Sequence, residues 1–202
     1  VVGGAVNSIN IIDGYNGLMS GYSILVLLAI SYVASILGDD LVFQLSLILV
    51  ASLAGFTVFN FPFGKIFMGD GGAYFVGFMM VSIGLMLGIR NEEVSHWFVL
   101  LLFIYPLYET VFSIYRKKII RGTSPSQPDG LHLHMLIYKR FVKCKRFKHN
   151  KTICNSMTSP FLWVLSLVGI IPAVIWYDNQ TTLIILAFLF MAIYKIIYRR
   201  IV

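Results

Sequence analysis

Charge is what this 202-residue chain has least of. Only 12 % of its residues are Asp, Glu, Lys or Arg, about half the share of an ordinary soluble domain. So few charges cannot dress a water-facing surface, which excludes a soluble globular enzyme. Acids are scarcer still, nine against 16 bases. Cysteine is nearly absent. Cys144 and Cys154 are too few for a framework of staples and fall in a basic stretch expected to face the cytosol, so free reduced thiols are expected. There is no tandem repeat, no low-complexity tract and no signal-peptide pattern. The chain starts at Val1 without a Met, with functional-looking residues at once. The expectation is a single membrane domain over 1–202 that is the N-terminally truncated part of a larger protein.

What the chain has is hydrocarbon. Apolar residues make up 58 % and the mean hydropathy is +0.81. A bilayer core of about 30 Å needs about 20 apolar residues as helix. Six segments qualify: Gly21–Gly38, Leu41–Asn60, Ala73–Ile89, Trp97–Tyr115, Pro160–Tyr177 and Thr181–Tyr198. The expected fold is all-α, a polytopic helical bundle in which residues 116–159 form a large cytoplasmic loop.

A net charge of +7 invites a nucleic-acid reading, but its distribution argues otherwise. Fifteen of the 16 Lys and Arg fall in the loops at 61–72 and 116–159 or at the C-terminal end, and only Arg90 falls opposite. The positive-inside rule makes that richer side cytoplasmic, with attraction to anionic membrane lipids and no nucleic-acid partner. Asp39, Asp40, Glu92, Glu93 and Asp178 then lie outside, while Asp13, Asp70, Glu109 and Asp129 lie at or toward the cytoplasmic face. Each acid of the second group sits in a polar cluster. A site at that membrane face is expected.

The stretch Phe61–Gly72, FPFGKIFMGDGG, carries Lys65, Asp70 and four glycines between two apolar runs. Asp70 is the best metal-ligand candidate, because Mg2+ typically takes one or two carboxylates plus substrate phosphates. An N-cap of the span starting near Ala73 is the plainer role. Lys65 suits a phosphate as a point charge, or equally a topology anchor. In Asn7–Leu18, NSINIIDGYNGL, the residues Asn7, Asn10, Asp13 and Asn16 recur every third position. On a helix, Asn10 and Asp13 share a face whose oxygens can ligate Mg2+ or hold a nucleotide. A helix end with Asx caps explains the same pattern.

Glu109, near Pro106, sits inside the fourth span and should face protein; pairing with Arg116 or Lys117 is the preferred role. Proline there frees a backbone carbonyl. In Arg121–Lys139, turns are expected at Ser124-Pro125 and Pro128-Asp129-Gly130. His132 and His134 alternate about Leu133 and point the same way in an extended segment, which with Arg121 suits a pyrophosphate or acid–base work. HxH alone is a weak zinc signal. From Leu136 to Phe147 a basic, apolar-interleaved pattern suits an interfacial helix.

Together these motifs resemble the polyprenyl-phosphate N-acetylhexosamine-1-phosphate transferases, membrane enzymes that initiate bacterial cell-wall and surface-polysaccharide (O-antigen) lipid intermediates. NSINIIDGYNGL looks like the family's Asn- and Asp-rich motif, GKIFMGDGGAYFVGF like its lysine and metal-aspartate motif, and SPSQPDGLHLHMLIYKR like its histidine motif. The resemblance implies transfer of sugar-1-phosphate from a UDP-N-acetylhexosamine to undecaprenyl phosphate with Mg2+, at the cytoplasmic face of the bacterial inner membrane. It implies Asp70 as principal Mg2+ ligand, with Asn10 second or supporting. Asp13, Asp70, His132 and His134 would be catalytic; Asn7, Asn10, Asn16, Lys65, Arg121 and Asp129 would bind substrate. The donor sugar and oligomeric state stay open, a homodimer included.

Departures stand beside the match. Asn16 replaces a common Asp, Met135 a third His, and Glu109 a common Asp, while the family's earlier acidic pair is absent. Inactivity of residues 1–202 in isolation is therefore expected. The rivals are a transporter, which expects midplane charges and paired repeats, and a non-catalytic membrane scaffold.

Overall fold

The structure, a computed structural model, describes residues 2–124, 130–142 and 151–202. Lipid offers no partners to backbone polar groups, so each apolar run satisfies its own as helix. The helices are α1 (Val2–Ile12), α2 (Leu18–Leu37), α3 (Asp40–Asn60), α4 (Gly69–Arg90), α5 (His96–Leu102), α6 (Ile104–Tyr115), α7 (Leu133–Ile137), α8 (Lys151–Ser156), α9 (Ser159–Ile175) and α10 (Gln180–Ile201). α2, α3, α4 and α10 are long and apolar enough to cross a bilayer, as is α9 taken with α8. α5 and the continuous stretch Ile104–Ile120, bent by 70° to each other, make a sixth when the pair is counted as one span. The molecule is thus the all-α, polytopic bundle expected. Exposed apolar side chains such as Ile48, Val58, Ile89, Val164 and Phe188 give it a surface suited to lipid.

α2 lies at the centre, packed on α3, α4 and α9. Gly38 ends it with φ 71°, and Asp39 caps α3 by accepting from the Val42 N–H (3.3 Å). The other Asp39 oxygen takes Arg90 Nε (2.8 Å) and Asn91 Nδ2 (3.0 Å). Arg90, set apart from the other bases in the sequence, therefore ties two interhelical turns together at one end of the bundle.

α1 packs closely on α4 because Gly77 has no side chain. A Cβ there would sit 3.2 Å from Ile9 Cβ and 3.3 Å from the Val6 backbone. Small residues at such crossings let helices approach in the absence of a hydrophobic drive between them. The crossing carries the C-terminal end of α1 and the N-terminal end of α4 to the same face.

The break between α5 and α6 has a cause in Pro106. Proline has no N–H to offer the carbonyl four residues back, that of Leu102. Tyr22 of α2 donates its hydroxyl to that carbonyl instead (2.8 Å). The bend brings Glu109 into the protein interior, fully buried.

Three expectations need correction. α4 begins at Gly69, so Asp70 lies in its first turn, not ahead of it. α1 ends at Ile12, so Asp13 lies in the following turn and not on the helix. The connection at 116–159 carries helix of its own where it is described, in keeping with the helical pattern expected from Leu136: α6 runs on as a π-helical turn, Arg116–Ile120, with Arg116 and Lys117 buried, and α7 runs into a second at Tyr138–Val142. Cys154 is buried and disulfide-bonded, not a free thiol. Compartment rules speak to redox poise and are blind to which sulfurs a fold brings together. Cys144, Asp129, Pro125 and Pro128, with residues 143–147 of the basic pattern, lie outside the described residues.

Candidate functional site

The first motif closes α1 and turns. The Asp13 N–H donates to the Asn10 carbonyl (3.1 Å), which ends the helix and sets Asp13 half-buried beside it. Burial, and then the charge of Asp70, push the Asp13 carboxyl up to about 6. The second cause shows that two carboxylates from distant motifs share one electrostatic neighbourhood. Asp70 is exposed in the first turn of α4, whose N-terminus has no side-chain cap. A carboxylate there is favoured by the helix dipole.

The turn is held by amides and glycines. Asn16 is buried: its N–H donates to Asn155 Oδ1 (2.8 Å), its Nδ2 to Ser156 Oγ (3.1 Å), and its carbonyl accepts from Ser159 Oγ (2.6 Å). The Gly17 N–H donates to Asn60 Oδ1 (2.6 Å), and Asn60 Nδ2 to the Ile66 carbonyl (2.8 Å). Gly17 (φ 76°) and Gly64 (φ 56°) take a left-handed backbone that a side chain would strain. A Cβ on Gly64 would lie 2.6 Å from Asn16 Nδ2. The first motif, the glycine loop and the start of α9 are thus knotted into one unit.

The histidines arrive from the other side. His132 precedes α7 with extended backbone, and His134 lies in its first turn. Their rings stack, 5.3 Å between centroids and 3° from parallel. So they do share a direction, though one is extended and the other helical. His134 is buried, meets the ring of Tyr15 edge-on at 5.5 Å, and puts Nε2 3.6 Å from where a Gly14 Cβ would stand. Burial pushes its imidazole down to about 4, against the nearby Glu109 charge and with that of His132. His134 Nδ1 is buried without a hydrogen-bond partner.

Glu109 anchors this side, with partners other than those expected. It binds neither Arg116 nor Lys117. Its Oε1 meets His132 Nδ1 (2.9 Å) and accepts from the Leu133 N–H (3.1 Å), and its Oε2 accepts from Tyr194 of α10 (2.6 Å). Arg116 reaches Tyr198 instead (2.7 Å), one turn further along α10. The sequence offered bases seven and eight positions on, where α6 runs into its π-helical turn; the bend and α10 bring closer partners.

The fold therefore gathers Asp13, Asp70, His134, His132 and the end of α1 bearing Asn10 at one face. Asn7 is exposed one turn before Asn10. Lys65 is exposed, its Nζ 5.8 Å from the centroid of the Phe63 ring. Arg121 is exposed at the end of the π-helical turn, its N–H on the Arg116 carbonyl (3.1 Å). Asn16 is committed to the knot. Sequence reasoning passed over Tyr15, Asn60 and Tyr194. Asn60, a polar residue closing an apolar span, was a readable signal; nothing local marked Tyr194.

Among the described residues no three His, Cys, Asp or Glu side chains converge as a metal site. Mg2+ asks less, one or two carboxylates with water and phosphate oxygens completing the shell. Asp70, with Asn10 near the end of α1, fits that donor set, and a cation there would also offset the Asp70 repulsion that adds to burial in raising Asp13.

The glycosyl transferase family 4 model matches residues 1–88. A probable undecaprenyl-phosphate N-acetylglucosaminyl 1-phosphate transferase of Bacillus subtilis is 31 % identical over 188 residues, 92 % of this chain and 51 % of that protein. An undecaprenyl-phosphate alpha-N-acetylglucosaminyl 1-phosphate transferase of Thermotoga maritima is 28 % identical over 142 residues, 70 % of this chain and 42 % of that one. A phospho-N-acetylmuramoyl-pentapeptide-transferase of Staphylococcus carnosus is 29 % identical over 131 residues, 65 % and 40 % respectively. The chain spans about half the length of these relatives or somewhat less. No solved structure matches it. The chain is a polytopic membrane protein whose sequence is similar, at 28–31 % identity, to parts of these polyprenyl-phosphate sugar-1-phosphate transferases.

Proposed function

We propose that this chain carries one part of the active site of an enzyme that transfers sugar-1-phosphate from a UDP-N-acetylhexosamine to undecaprenyl phosphate. The site faces the cytoplasm in the bacterial inner membrane, and the product enters cell-wall or surface-polysaccharide synthesis. One observation carries the reading: Asp13 and Asp70, far apart in sequence, share a field at the face to which the two histidines also come. Homology to transferases of this type supports it.

In the reaction an oxygen of the lipid phosphate bonds to the sugar-bearing phosphorus. The bond from that phosphorus to the oxygen bridging the two phosphates breaks, and UMP leaves with that oxygen. Such transfers depend on position and charge neutralisation. Asp70, with Asn10 supporting, would hold Mg2+, which supplies that neutralisation on the diphosphate. Asp13 orients the nucleotide and lipid phosphates around the charge so held. His132 and His134 present ring nitrogens to the diphosphate or sugar, and Lys65 and Arg121 add positive charge near the phosphates. Asn7 and Asp129 complete the substrate contacts.

The test is UMP release by the complete gene product in membranes, from a panel of UDP-N-acetylhexosamines. Release that needs donor, undecaprenyl phosphate and Mg2+ together establishes the reaction and names the sugar. No release from any donor, with the protein inserted, rejects it.

A further inference from the structure

Glu109 is a carboxylate spent inside a membrane span, and no step above uses it. Its surroundings say what it does. Three groups aim at it: the Leu133 N–H, which can only donate, to Oε1, and the Tyr194 hydroxyl, which donates to Oε2. The third is His132 Nδ1, 2.9 Å from Oε1. A carboxylate oxygen can only accept, so Nδ1 carries the hydrogen. That leaves Nε2 as the open nitrogen of a ring that keeps 13 % of its side-chain surface exposed. Among the described residues nothing hydrogen-bonds Nε2. The parallel ring of His134, which abuts Gly14 beside Asp13, fixes the plane in which Nε2 lies.

The support extends to α10. Tyr194 and Tyr198 lie four residues apart, on one face of the helix, with rings 6.3 Å apart. Tyr194 holds Glu109, and Tyr198 donates to the carbonyl of Leu131 (3.2 Å). His132 is thus fixed by its ring through Glu109 and by its backbone neighbours on both sides. So much fixing of a partly exposed ring exceeds what a loop anchor needs.

We propose that Glu109 is the positioning residue of His132 in the transfer reaction. It sets the Nδ1–H tautomer and aims Nε2 at the face bearing Asp13 and Asp70, so that Nε2 accepts a hydrogen bond or proton from the phosphate or sugar there. This rests on the transferase reading. A carboxylate behind a histidine raises its basicity and fixes its orientation, and losing such a partner typically costs 10- to 100-fold, about the loss expected here.

The complete gene product is labelled with 15N-histidine in lipid nanodiscs, and the His132 signal is assigned by its absence in His132→Gln. The expected pattern is Nδ1 protonated and Nε2 bare. Glu109→Gln, nearly isosteric, should mix the tautomers and lower kcat about 10- to 100-fold with KM for the donor little changed. Glu109→Asp should recover part of the loss. A wild-type His132 protonated at Nε2, or a Glu109→Gln enzyme of unchanged kcat, overturns the proposal. Wild-type protein showing the Nδ1–H form but no turnover with any donor would instead sink the transferase reading, and the catalytic role with it, while leaving the pairing intact.

Discussion

At the scale of single residues, two groups pay for their place in the fold. Asp13 is raised to about 6 by burial and by Asp70, so it costs stability above that pH. Asp13→Asn should therefore stabilise the metal-free protein at pH 7 by about 1–2 kcal/mol, discounted for its partial exposure. Wild-type Tm should rise on adding Mg2+, by about 2.7 kcal/mol of stability at a hundredfold excess over Kd, and Asp70→Asn should lose most of that gain. Thermal unfolding with chelator and with Mg2+ checks both. Equal Mg2+ shifts in wild type and Asp70→Asn would remove Asp70 from the ligand set. His134 runs the other way. Its folded value is about 4 against an ordinary 6.5, so between those values only the unfolded chain takes the proton. Stability is then lost as pH falls from 6.5 toward 4, by at most about 1.4 kcal/mol per unit. Wild type should lose more Tm than His134→Gln between pH 7 and 5; parallel losses would refute the buried neutral ring.

At the scale of elements, the α5–α6 bend is a backbone group handed from one helix to another. Pro106 leaves the Leu102 carbonyl without its helical donor, and Tyr22 supplies one. Tyr22→Phe should cost about 1–3 kcal/mol, the penalty of an unpaired buried acceptor. In a Pro106→Ala background the restored N–H can take over, so the same change should cost clearly less. A double-mutant cycle on unfolding in detergent or bilayer measures this coupling. Additive costs would mean that the bend has another cause. The bend matters for function because it carries Glu109 inward to His132.

At the scale of the whole molecule, the question is which way the bundle sits. The asymmetry of Lys and Arg predicts that the face with Asp13, Asp70 and the histidines is cytoplasmic. Single cysteines placed at Lys65 and at Asp178, with Cys144 and Cys154 replaced by Ser, should react with a membrane-impermeant maleimide from opposite sides. Lys65→Cys should label from the cytoplasmic side alone. Labelling of Lys65→Cys from the outer side and Asp178→Cys from the cytoplasmic side would reverse the topology, and labelling of both from one side would break the predicted count of crossings between them.

The sequence by itself determined the class of fold. Spans of about 20 apolar residues leave helix as the way to satisfy the backbone, so six crossings could be counted before any coordinates. It also marked Asp13, Asp70, His132 and His134, because polar residues and glycines beside apolar spans stand out against so hydrophobic a chain. Only the tertiary structure decided who meets whom. Asn16 and Asp13 look alike in one motif, yet one ties a knot with Asn155 and Ser156 and the other lies half-buried in the field of Asp70. Glu109 finds His132 and Tyr194, 23 and 85 positions away, in place of the bases on its own helix. Periodicity reports which residues share a face of one helix. Partners across helices depend on crossings and bends, set by features as small as the missing Cβ of Gly77 and the missing N–H of Pro106.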